Sequence, residues 1–494
     1  MFKKIVTLSL AFVMAFAAIG CGEETAEPAA KEENKTPQYA EKQFEISGFW
    51  APYDISEEGL KEYKDVGFTT LAMINHSLGY TSEEQFYFGS QRTMTALENC
   101  KKVGLNAILN YNDWMVPRCE EEGEDFYGAT PFSKHDIYGE YKDIITGIHI
   151  CDEPYLKRAD GTGTNHFALY GDKTLIDDFK KVYPNAKFIV NLIPITAVSS
   201  RGFTTYEEMM ELYEKTFMEP FENPFVSVDV YPFHQGNTQD DGTLLVNYQY
   251  IADSAKKYGV KPGYILQSSV GGADEGRKEF EMELSESDLR WEVNNALLFG
   301  ADTLQYYCYS VPKSFDENGK EVFMYDYCIL NRDDTPSPIY YSLQKIHKEI
   351  QSYSNVILSY DWQQVIGKSG YDVSTYRVAP LEIDDNFEEI TFDNAKKYVE
   401  TSCSQDIAIS HFTSKDFGEA YMFVNWADRD VKNEDGTVEK VKNIVTTKFK
   451  DCSELKVYGG VGFDGTPKTL KLDKNGEVQF ELEYGEGIFV VPVA

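Results

Sequence analysis

Two adjacent carboxylates lie in the stretch GIHICDEPY, residues 147–155, between a run of apolar residues and a proline. The apolar run is typical of a buried strand, and Pro154 favours the end of that strand because it has no N–H to donate. Asp152 and Glu153 can serve there as an acid and base pair, as metal ligands, or as a charged turn without a chemical role. The elements that position the two residues decide between these interpretations.

A helix-like segment, a glycine and a short apolar run recur along residues 44–355. Gly67, Gly104, Gly259 and Gly300 follow such segments, where a residue tolerant of left-handed dihedral angles commonly ends a helix. Eight apolar runs alternate with the helix-like segments, which predicts an α/β fold, a (β/α)8 TIM barrel with its helices outside. A doubly wound open sheet is the alternative, but no glycine-rich nucleotide loop follows the first run.

Beyond residue 355 the pattern changes to short strand-like runs separated by Asn-Gly and other glycine-containing turns. This pattern predicts a C-terminal antiparallel β-sandwich domain over residues 356–494. Its expected role is to pack against the barrel and stabilise it.

In a barrel of parallel strands, the active site is built from residues at the carboxyl ends of the strands. The ends of the predicted strands carry aromatic and polar side chains. This combination suits a sugar, because aromatic faces stack on its C–H groups while amides and carboxylates bond its hydroxyls. The predicted substrate-binding residues are Trp50, Tyr53, Asn75, His76, Asn110, Asp113, Trp114, Asn191, Tyr231, Gln267, Gln305 and Tyr307.

Side chains alternate along a strand, so the fourth run predicts that Cys151 and Glu153 face the barrel axis and that Asp152 faces the helices. In this prediction Asp152 enters the barrel mouth only if the chain bends at Pro154. The sixth run, FVSVDVYPF, has valines at alternate positions, which turns Asp229 towards the interior near Glu153. Burial of Glu153 disfavours its ionised form, as a general acid requires, and a second carboxylate is then needed.

The N-terminal 43 residues differ in composition from the rest. Two lysines precede an apolar run that ends just before Cys21, which is typical of a secretory signal peptide and short of the roughly 20 residues that span a bilayer. The ending AIGC resembles the lipobox of bacterial lipoproteins. The resemblance implies a signal peptide over residues 1–20, lipidation of Cys21, and an extracytoplasmic protein whose only membrane attachment is that lipid. Residues 21–43 are polar and predict a flexible tether.

The formal net charge of −34 disfavours nucleic acid as a partner and favours a neutral one such as a carbohydrate. His76, His149 and His234 are too isolated for a metal-binding motif, so no metal and no other cofactor is expected. The seven cysteines after Cys21 are odd in number and lack CxxC spacing. Most of them are therefore interpreted as packing residues or free thiols rather than as a disulfide framework.

The position of Asp152, Glu153 and Pro154 after the fourth of eight strands resembles the clan of barrel glycoside hydrolases whose acid/base glutamate ends strand four, usually as Asn-Glu-Pro. The later stretch from GYILQSS to LQYYCYS is similar to strands seven and eight of such enzymes, and a barrel followed by a sandwich fits the same layout. The resemblance implies glycoside hydrolysis with Glu153 as the general acid. Retaining members carry a nucleophilic glutamate at the end of strand seven, where this sequence has Gln267.

A glutamine cannot form the glycosyl ester, so several interpretations stay open. The enzyme inverts configuration, with Asp229 or Asp113 activating water, or a carboxylate from the loop after Gln267 reaches in. It resembles hexosaminidases instead, in which an adjacent Asp-Glu pair serves substrate-assisted cleavage: Asp152 orients a 2-acetamido group and Glu153 protonates the leaving oxygen. Or the barrel has lost catalysis and is a carbohydrate-binding lipoprotein. A structural surface adhesin is the weakest alternative.

Overall fold

A computed structural model gives the structure of the chain, and from Tyr39 onward the chain belongs to one compact unit. The predicted signal peptide, the lipidation site Cys21 and most of the tether lie outside the described residues and stay predictions. The structure describes residues 38–72, 74, 83–110, 132, 138–157, 165–233, 243–271, 283–315, 319–368, 375–377, 391–427, 431–432 and 437–493.

Eight parallel strands form the barrel, as the eight apolar runs predict. They are β1 (Glu45–Gly48), β2 (Thr70–Ala72), β3 (Asn106–Asn110), β4 (Ile145–Asp152), β5 (Lys187–Leu192), β6 (Ser227–Asp229), β7 (Gly263–Gln267) and β8 (Thr303–Tyr307). The strands neighbour one another in the order β1-β8-β7-β6-β5-β4-β3-β2. Thr69 closes the ring between β1 and β2: its N–H donates to the Ile46 carbonyl at 2.9 Å, and its hydroxyl accepts from the Ile46 N–H at 2.9 Å.

Helices connect the strands on the outside of the barrel. They are α1 (Glu57–Asp65), α2 (Glu83–Val103), α3 (His166–Tyr170), α4 (Lys173–Val182), α5 (Tyr206–Tyr213), α6 (Thr243–Tyr258), α7 (Glu286–Leu298), α8 (Pro338–Gln351) and α9 (Ser354–Ile357), with a 3-10 helix at Ile195–Arg201. The four glycines predicted to end helices all have positive φ. At Gly67, where φ is +100°, a Cβ would also come within 2.6 Å of the His347 Cβ. Among the described helices, none is long and apolar enough to cross a membrane.

Antiparallel strands follow the barrel, which confirms the predicted order of the two parts. The main ones are β11 (Asp361–Lys368), β12 (Thr375–Arg377), β13 (Tyr398–Cys403), β14 (Ile407–Ser414), β15 (Gly418–Asn425), β18 (Lys442–Phe449), β19 (Glu454–Gly459), β20 (Lys468–Lys471), β21 (Glu477–Glu483) and β22 (Gly487–Val493), and the small pairs are β9 (Lys313–Phe315) with β10 (Glu321–Phe323) and β16 (Val431–Lys432) with β17 (Val438–Glu439). The larger sheet has the order β12-β11-β14-β15-β22-β19-β20, and the smaller one has the order β13-β18-β21.

The larger sheet packs on both faces. On one face Tyr421 and Val490 share a core with Val445 of the smaller sheet, as in a sandwich. On the other face Met422 and Phe489 belong to the same hydrophobic core as the barrel. The C-terminal sheets therefore extend the core of the barrel.

Helix α7 lies at the junction between the barrel and the larger sheet. It begins with a capping box formed by Ser285 and Asp288. The rings of Trp291 on α7 and Trp426 after β15 lie 4.8 Å apart, and the Trp426 Nε1–H donates to the Asn295 Oδ1 at 2.9 Å. Through α7 the C-terminal sheets support the barrel wall next to β7.

Residues 39–43, which the sequence analysis assigns to the tether, pack against the folded body. The Tyr39 ring lies 4.3 Å from that of Phe417, and the Lys42 Nζ donates to the Leu358 carbonyl at 2.8 Å. The packed body therefore includes Tyr39, five residues before the predicted start at residue 44.

Candidate active site

A β-bulge near the end of β4 decides which side chains enter the barrel mouth. His149 pairs with Ile189 of β5. The next residue of β5, Val190, pairs with Cys151 and not with Ile150. One extra residue on β4 resets the alternation of side chains, as a bulge does. The Cys151 sulfur consequently lies 3.3 Å from the Nδ1 of His166 on α3, in the helix layer.

The prediction from strict alternation was therefore wrong for Cys151 and Asp152. Cys151 faces the helices, and Asp152 pairs with Asn191 of β5 and faces the barrel mouth. The expected route for Asp152 was a bend at Pro154. The actual cause is the bulge, which lies earlier in the strand.

The buried amide of Asn191 joins two carboxyl groups. Its Nδ2 donates to the Oδ1 of Asp152 at 3.1 Å and to the Oδ1 of Asp229 at 2.8 Å. Its own Oδ1 accepts from the hydroxyl of Ser227 at 2.9 Å, which fixes the amide in this orientation. Ser227 and Asp229 face the interior, as the valine spacing of the sixth run predicts.

Glu153 follows Asp152 with a positive φ of 46°. Its N–H donates to the Asn191 carbonyl at 2.9 Å, so the backbone leaves β4 in a fixed direction. The carboxylate forms an ion pair with the Arg201 guanidinium, and it also shares a hydrogen bond with Asp229. About a quarter of the Glu153 side chain (26%) remains exposed, so the group is open to a ligand.

The three carboxyl groups of Asp152, Glu153 and Asp229 are held close together with one cation, and their pKa values reflect this. Burial raises the pKa of Glu153 and the charge of Asp152 adds to the effect, while Arg201 and the bond from Asp229 act against it. Loss of hydration also raises the pKa of Asp152, although that residue keeps an exposed surface, and the Asn191 amide and Arg201 oppose the shift. Of the three carboxyl groups, Asp229 has its pKa raised most. Burial is the largest cause, and the charges of Asp152 and Glu153 add to it.

Asp229 is 7% exposed, and the raised pKa of its carboxyl favours the protonated form. A protonated Asp229 is a donor, which fits its hydrogen bond to Glu153. Asp152 has solvent access and accepts a hydrogen bond from the Asn191 amide, so it is the member of the cluster most open to a substrate.

Partly exposed aromatic residues lie next to the carboxyl cluster. The Tyr307 ring at the end of β8 lies 5.4 Å from those of Trp50 and Tyr231. Tyr53 donates from its hydroxyl to the Val311 carbonyl at 3.2 Å, and the Lys313 Nζ lies 4.8 Å from its ring centre. The structure thus brings four of the predicted sugar-binding aromatics to the carboxyl ends of the strands.

Gln267 is fully buried at the end of β7. Its Nε2 donates to the carbonyl of Phe233 at 3.0 Å, and its Oε1 accepts from the Phe233 N–H at 3.0 Å. The Gln267 N–H donates to the Oε1 of Glu292 on α7 at 2.9 Å. Burial raises the pKa of the Glu292 carboxyl well above its usual value, which favours the neutral form of this acid. The side chain of Gln267, and with it the end of β7, is therefore a buried link between β7 and the connection after β6.

The remaining predicted residues divide into two groups. Asn110, Asn191 and Gln305 are 7%, 0% and 2% exposed, so they lie beneath the mouth rather than at its surface, and the Gln305 Nε2 donates to the Ser47 hydroxyl at 3.2 Å. The others lie outside the described residues, and their role stays a prediction; they are Asn75, His76, Asp113 and Trp114.

No candidate metal centre is present in the described part of the chain, where no cluster of three His, Cys, Asp or Glu side chains has a suitable arrangement. His149 is buried, and burial lowers its pKa to about 4, so its imidazole is neutral. Its ring lies 5.6 Å from that of Phe49 in an edge-on contact. His149 packs in the core beneath the cluster.

Arg201 is the site residue that sequence reasoning missed. It lies at the end of the 3-10 helix after β5, whereas only strand ends were considered. Its carbonyl accepts from the Leu156 N–H at 2.9 Å, which ties this segment to the chain just after Glu153. Arg201 lies in the connection after β5 and not at a strand end, so no sequence pattern marks it as a partner of Glu153.

Comparisons with known proteins agree with the fold. The sequence matches no protein family model and no curated protein. A solved glycoside hydrolase is similar to this chain with a TM-score of 0.50 and 11% identity over 94% of both chains. A family 5 glycoside hydrolase from Bacteroides vulgatus has a TM-score of 0.48 and 11% identity over 91% of this chain and 89% of its own. A family 39 glycoside hydrolase from Bacteroides cellulosilyticus has a TM-score of 0.45 and 12% identity over 92% of this chain and 82% of its own. The fold is therefore shared with glycoside hydrolases.

Gln267→Glu should destabilise the protein without creating a nucleophile. The new carboxylate would face the Phe233 carbonyl inside the core, next to the Glu292 acid, and would lose the donor that the amide supplies. We expect the free energy of unfolding to fall by about 2 kcal/mol or more. Denaturant-induced unfolding measures the change.

Gln91→Glu is the matched control, because Gln91 is an exposed residue of α2. It should change the free energy of unfolding by less than about 0.5 kcal/mol. Equal stabilities of the two variants would contradict the buried role of Gln267.

Proposed function

We propose that this protein is a glycoside hydrolase that cleaves O-glycosidic bonds of an oligosaccharide or polysaccharide, with Glu153 as the general acid. The observation that carries the proposal is the bulge in β4, which turns Asp152 into the barrel mouth beside Glu153. Two carboxyl groups with different surroundings then lie together at the carboxyl ends of the strands, next to partly exposed aromatic rings. That arrangement is the one that glycosidic cleavage needs.

Glu153 suits the role of acid for two reasons. Its raised pKa keeps a larger fraction protonated near neutral pH than an exposed glutamate would have. Its remaining exposure allows the proton to reach a leaving oxygen above the cluster. Arg201 orients the carboxyl group and limits the rise of its pKa.

The second carboxylate is proposed to be Asp152. Asp229 is a poor base because it is buried and its raised pKa favours the protonated form, which disfavours the inverting route through Asp229. Gln267 supplies no nucleophile and its amide is occupied by Phe233. Asp152 is left as the group that orients a 2-acetamido substituent for attack on the anomeric carbon, or that activates water. The first of these routes requires a 2-acetamido group on the substrate, so N-acetylhexosaminides are the substrate class to test first.

A carbohydrate-binding protein without catalysis is the second candidate. It is favoured by Gln267, which lies where retaining enzymes of this fold carry their nucleophile. Screening the purified chain against glycans and aryl glycosides, including N-acetylhexosaminides, separates the two candidates. Binding of a glycan with no cleavage of any substrate would support the second candidate and overturn the first.

Glu153→Gln should lower kcat/KM on a natural glycan by about a hundredfold to ten-thousandfold, because the leaving oxygen no longer receives a proton. An aryl glycoside with a strongly acidic phenol as its leaving group needs little protonation and should lose much less. The comparison of the two substrates by steady-state kinetics tests the acid role. Equal losses on both would argue against it.

Asp229→Asn is the matched control for that experiment. An amide closely resembles a carboxylic acid that keeps its proton, so this variant should retain kcat/KM to within about tenfold. A loss as large as that of Glu153→Gln would show that Asp229 acts as an ionised group, and would overturn its assignment as a supporting residue.

Arg201→Gln should move the alkaline limb of the pH profile to higher pH. Arg201 lowers the pKa of Glu153, so its removal raises that pKa further. A general acid works only while protonated, and its activity falls as pH rises through its pKa. The alkaline limb of the kcat/KM profile should therefore move to higher pH by about one unit. The acidic limb should move in the same direction, since Arg201 also lowers the pKa of Asp152.

Lys173→Gln is the control for this charge change, because Lys173 is an exposed cation on α4 with 84% of its side chain accessible. Its pH profile should coincide with that of the parent protein. An unshifted alkaline limb in Arg201→Gln would contradict the role of Glu153 as the proton donor.

A further inference from the structure

Two cysteines outside the carboxyl cluster lie in direct contact. The sulfur atoms of Cys308 and Cys328 are 3.4 Å apart, and both side chains are fully buried. Cys308 follows β8, and Cys328 lies 20 residues later in the long connection to α8. The pair therefore joins two distant points of one connection at the barrel mouth.

The backbone holds both cysteines in place. The Cys308 carbonyl accepts from the Ser268 hydroxyl at 3.1 Å, and the Cys328 carbonyl accepts from the Ser337 hydroxyl at 2.7 Å. The Cys328 N–H also donates to the Leu330 carbonyl at 2.8 Å. These hydrogen bonds to main-chain atoms hold the backbone of both cysteines in place and so fix the approach of the two sulfurs.

The other buried cysteines have different surroundings. Cys100 packs among apolar residues of the main core, and Cys151 contacts the His166 ring. Among the described cysteines, Cys308 and Cys328 are the pair whose sulfurs are in contact. A disulfide requires these two sulfurs to move from contact at 3.4 Å to the bonding distance of about 2.05 Å.

We propose that Cys308 and Cys328 are a modification site, a thiol pair that is oxidised to a disulfide by a low-molecular-weight disulfide. One cysteine, as its thiolate, attacks a sulfur of the oxidant, which forms a mixed disulfide and releases one thiol. The second cysteine then attacks the Sγ of the first cysteine, which forms the Cys308–Cys328 bond and releases the other thiol of the oxidant. Two electrons pass from the pair to one oxidant molecule, and the two protons leave with the released thiols.

The bond would stiffen the aromatic part of the barrel mouth. Cys308 and Cys328 belong to the small core that also contains Phe49 and Tyr325 and supports Trp50. Tyr307 precedes Cys308, and its ring lies 6.1 Å from that of Tyr325 in an edge-on contact. Oxidation would close a loop across this region, which favours the folded state by restricting the unfolded chain.

The test uses the full chain in its reduced form. Burial raises the pKa of the Cys308 thiol well above its usual value, so exchange in the folded protein should be slow. One sample is incubated folded with oxidised glutathione, and a second is unfolded and refolded in a glutathione redox buffer. Both are denatured, alkylated and mapped by mass spectrometry. We expect a peptide that links Cys308 to Cys328, and a Tm about 3 °C higher that returns to the reduced value with dithiothreitol.

Controls separate this bond from general oxidation. Cys100 should remain available to the alkylating reagent in every sample. Cys328→Ala should show no difference in Tm between its own oxidised and reduced samples, whatever its absolute stability. Free thiols at both Cys308 and Cys328 after both treatments, or links to other cysteines instead, would overturn the proposal.

Discussion

The hydrogen bonds of the Asn191 amide hold the acidic residues of the candidate site together. A buried amide must satisfy its donors and acceptor inside the protein, and Asn191 does so with Asp152, Asp229 and Ser227. Because the Asn191 Oδ1 accepts a hydrogen bond from the Ser227 hydroxyl, the two N–H groups of the Asn191 amide have to point at the carboxyl groups of Asp152 and Asp229. One side chain of β5 thereby fixes acidic residues of β4 and β6 at the same height of the barrel.

The cluster is stable only if its charge is limited. Three carboxylates close together in surroundings of low polarity would repel one another strongly. The structure lowers the charge in two ways: Arg201 supplies one cation, and burial raises the pKa of Asp229, which favours its neutral form. The site thus keeps one deeply buried acid as a donor and leaves Asp152 and Glu153 as the groups that reach the mouth. The wall beside them is held by Gln267 and Glu292, and the α7 helix that carries Glu292 packs against the C-terminal sheets.

Much of the fold could be predicted from the sequence. The glycines after the helix-like segments and the eight apolar runs predict the alternation of the barrel, and the change of pattern near residue 355 predicts the antiparallel part. The interior direction of Asp229 followed from its valine neighbours because β6 is regular. The same reasoning failed on β4, where Ile150 and Cys151 are both apolar and their types do not reveal which one is the extra residue of a bulge.

The rest of the site depends on tertiary contacts that leave no local signal. Gln267 has no carboxylate with which to attack as a nucleophile, and its link to Phe233 uses main-chain atoms of Phe233 and so has no side-chain pattern. Arg201 reaches Glu153 only because the 3-10 helix after β5 folds back beside the end of β4. A sequence rule that considers strand ends alone finds the acidic residues and misses the cation that balances them.

The bulge in β4 places Asp152 beside Glu153, and the pKa of Glu153 reports on that placement. Carboxyl ¹³C NMR titration measures that pKa in the parent protein and in Asp152→Asn, in which the neighbouring charge is removed. We expect a lower pKa for Glu153 in the variant, because the charge of Asp152 raises it in the parent. An unchanged pKa would mean that Asp152 points away from the mouth and that the bulge does not place it beside Glu153.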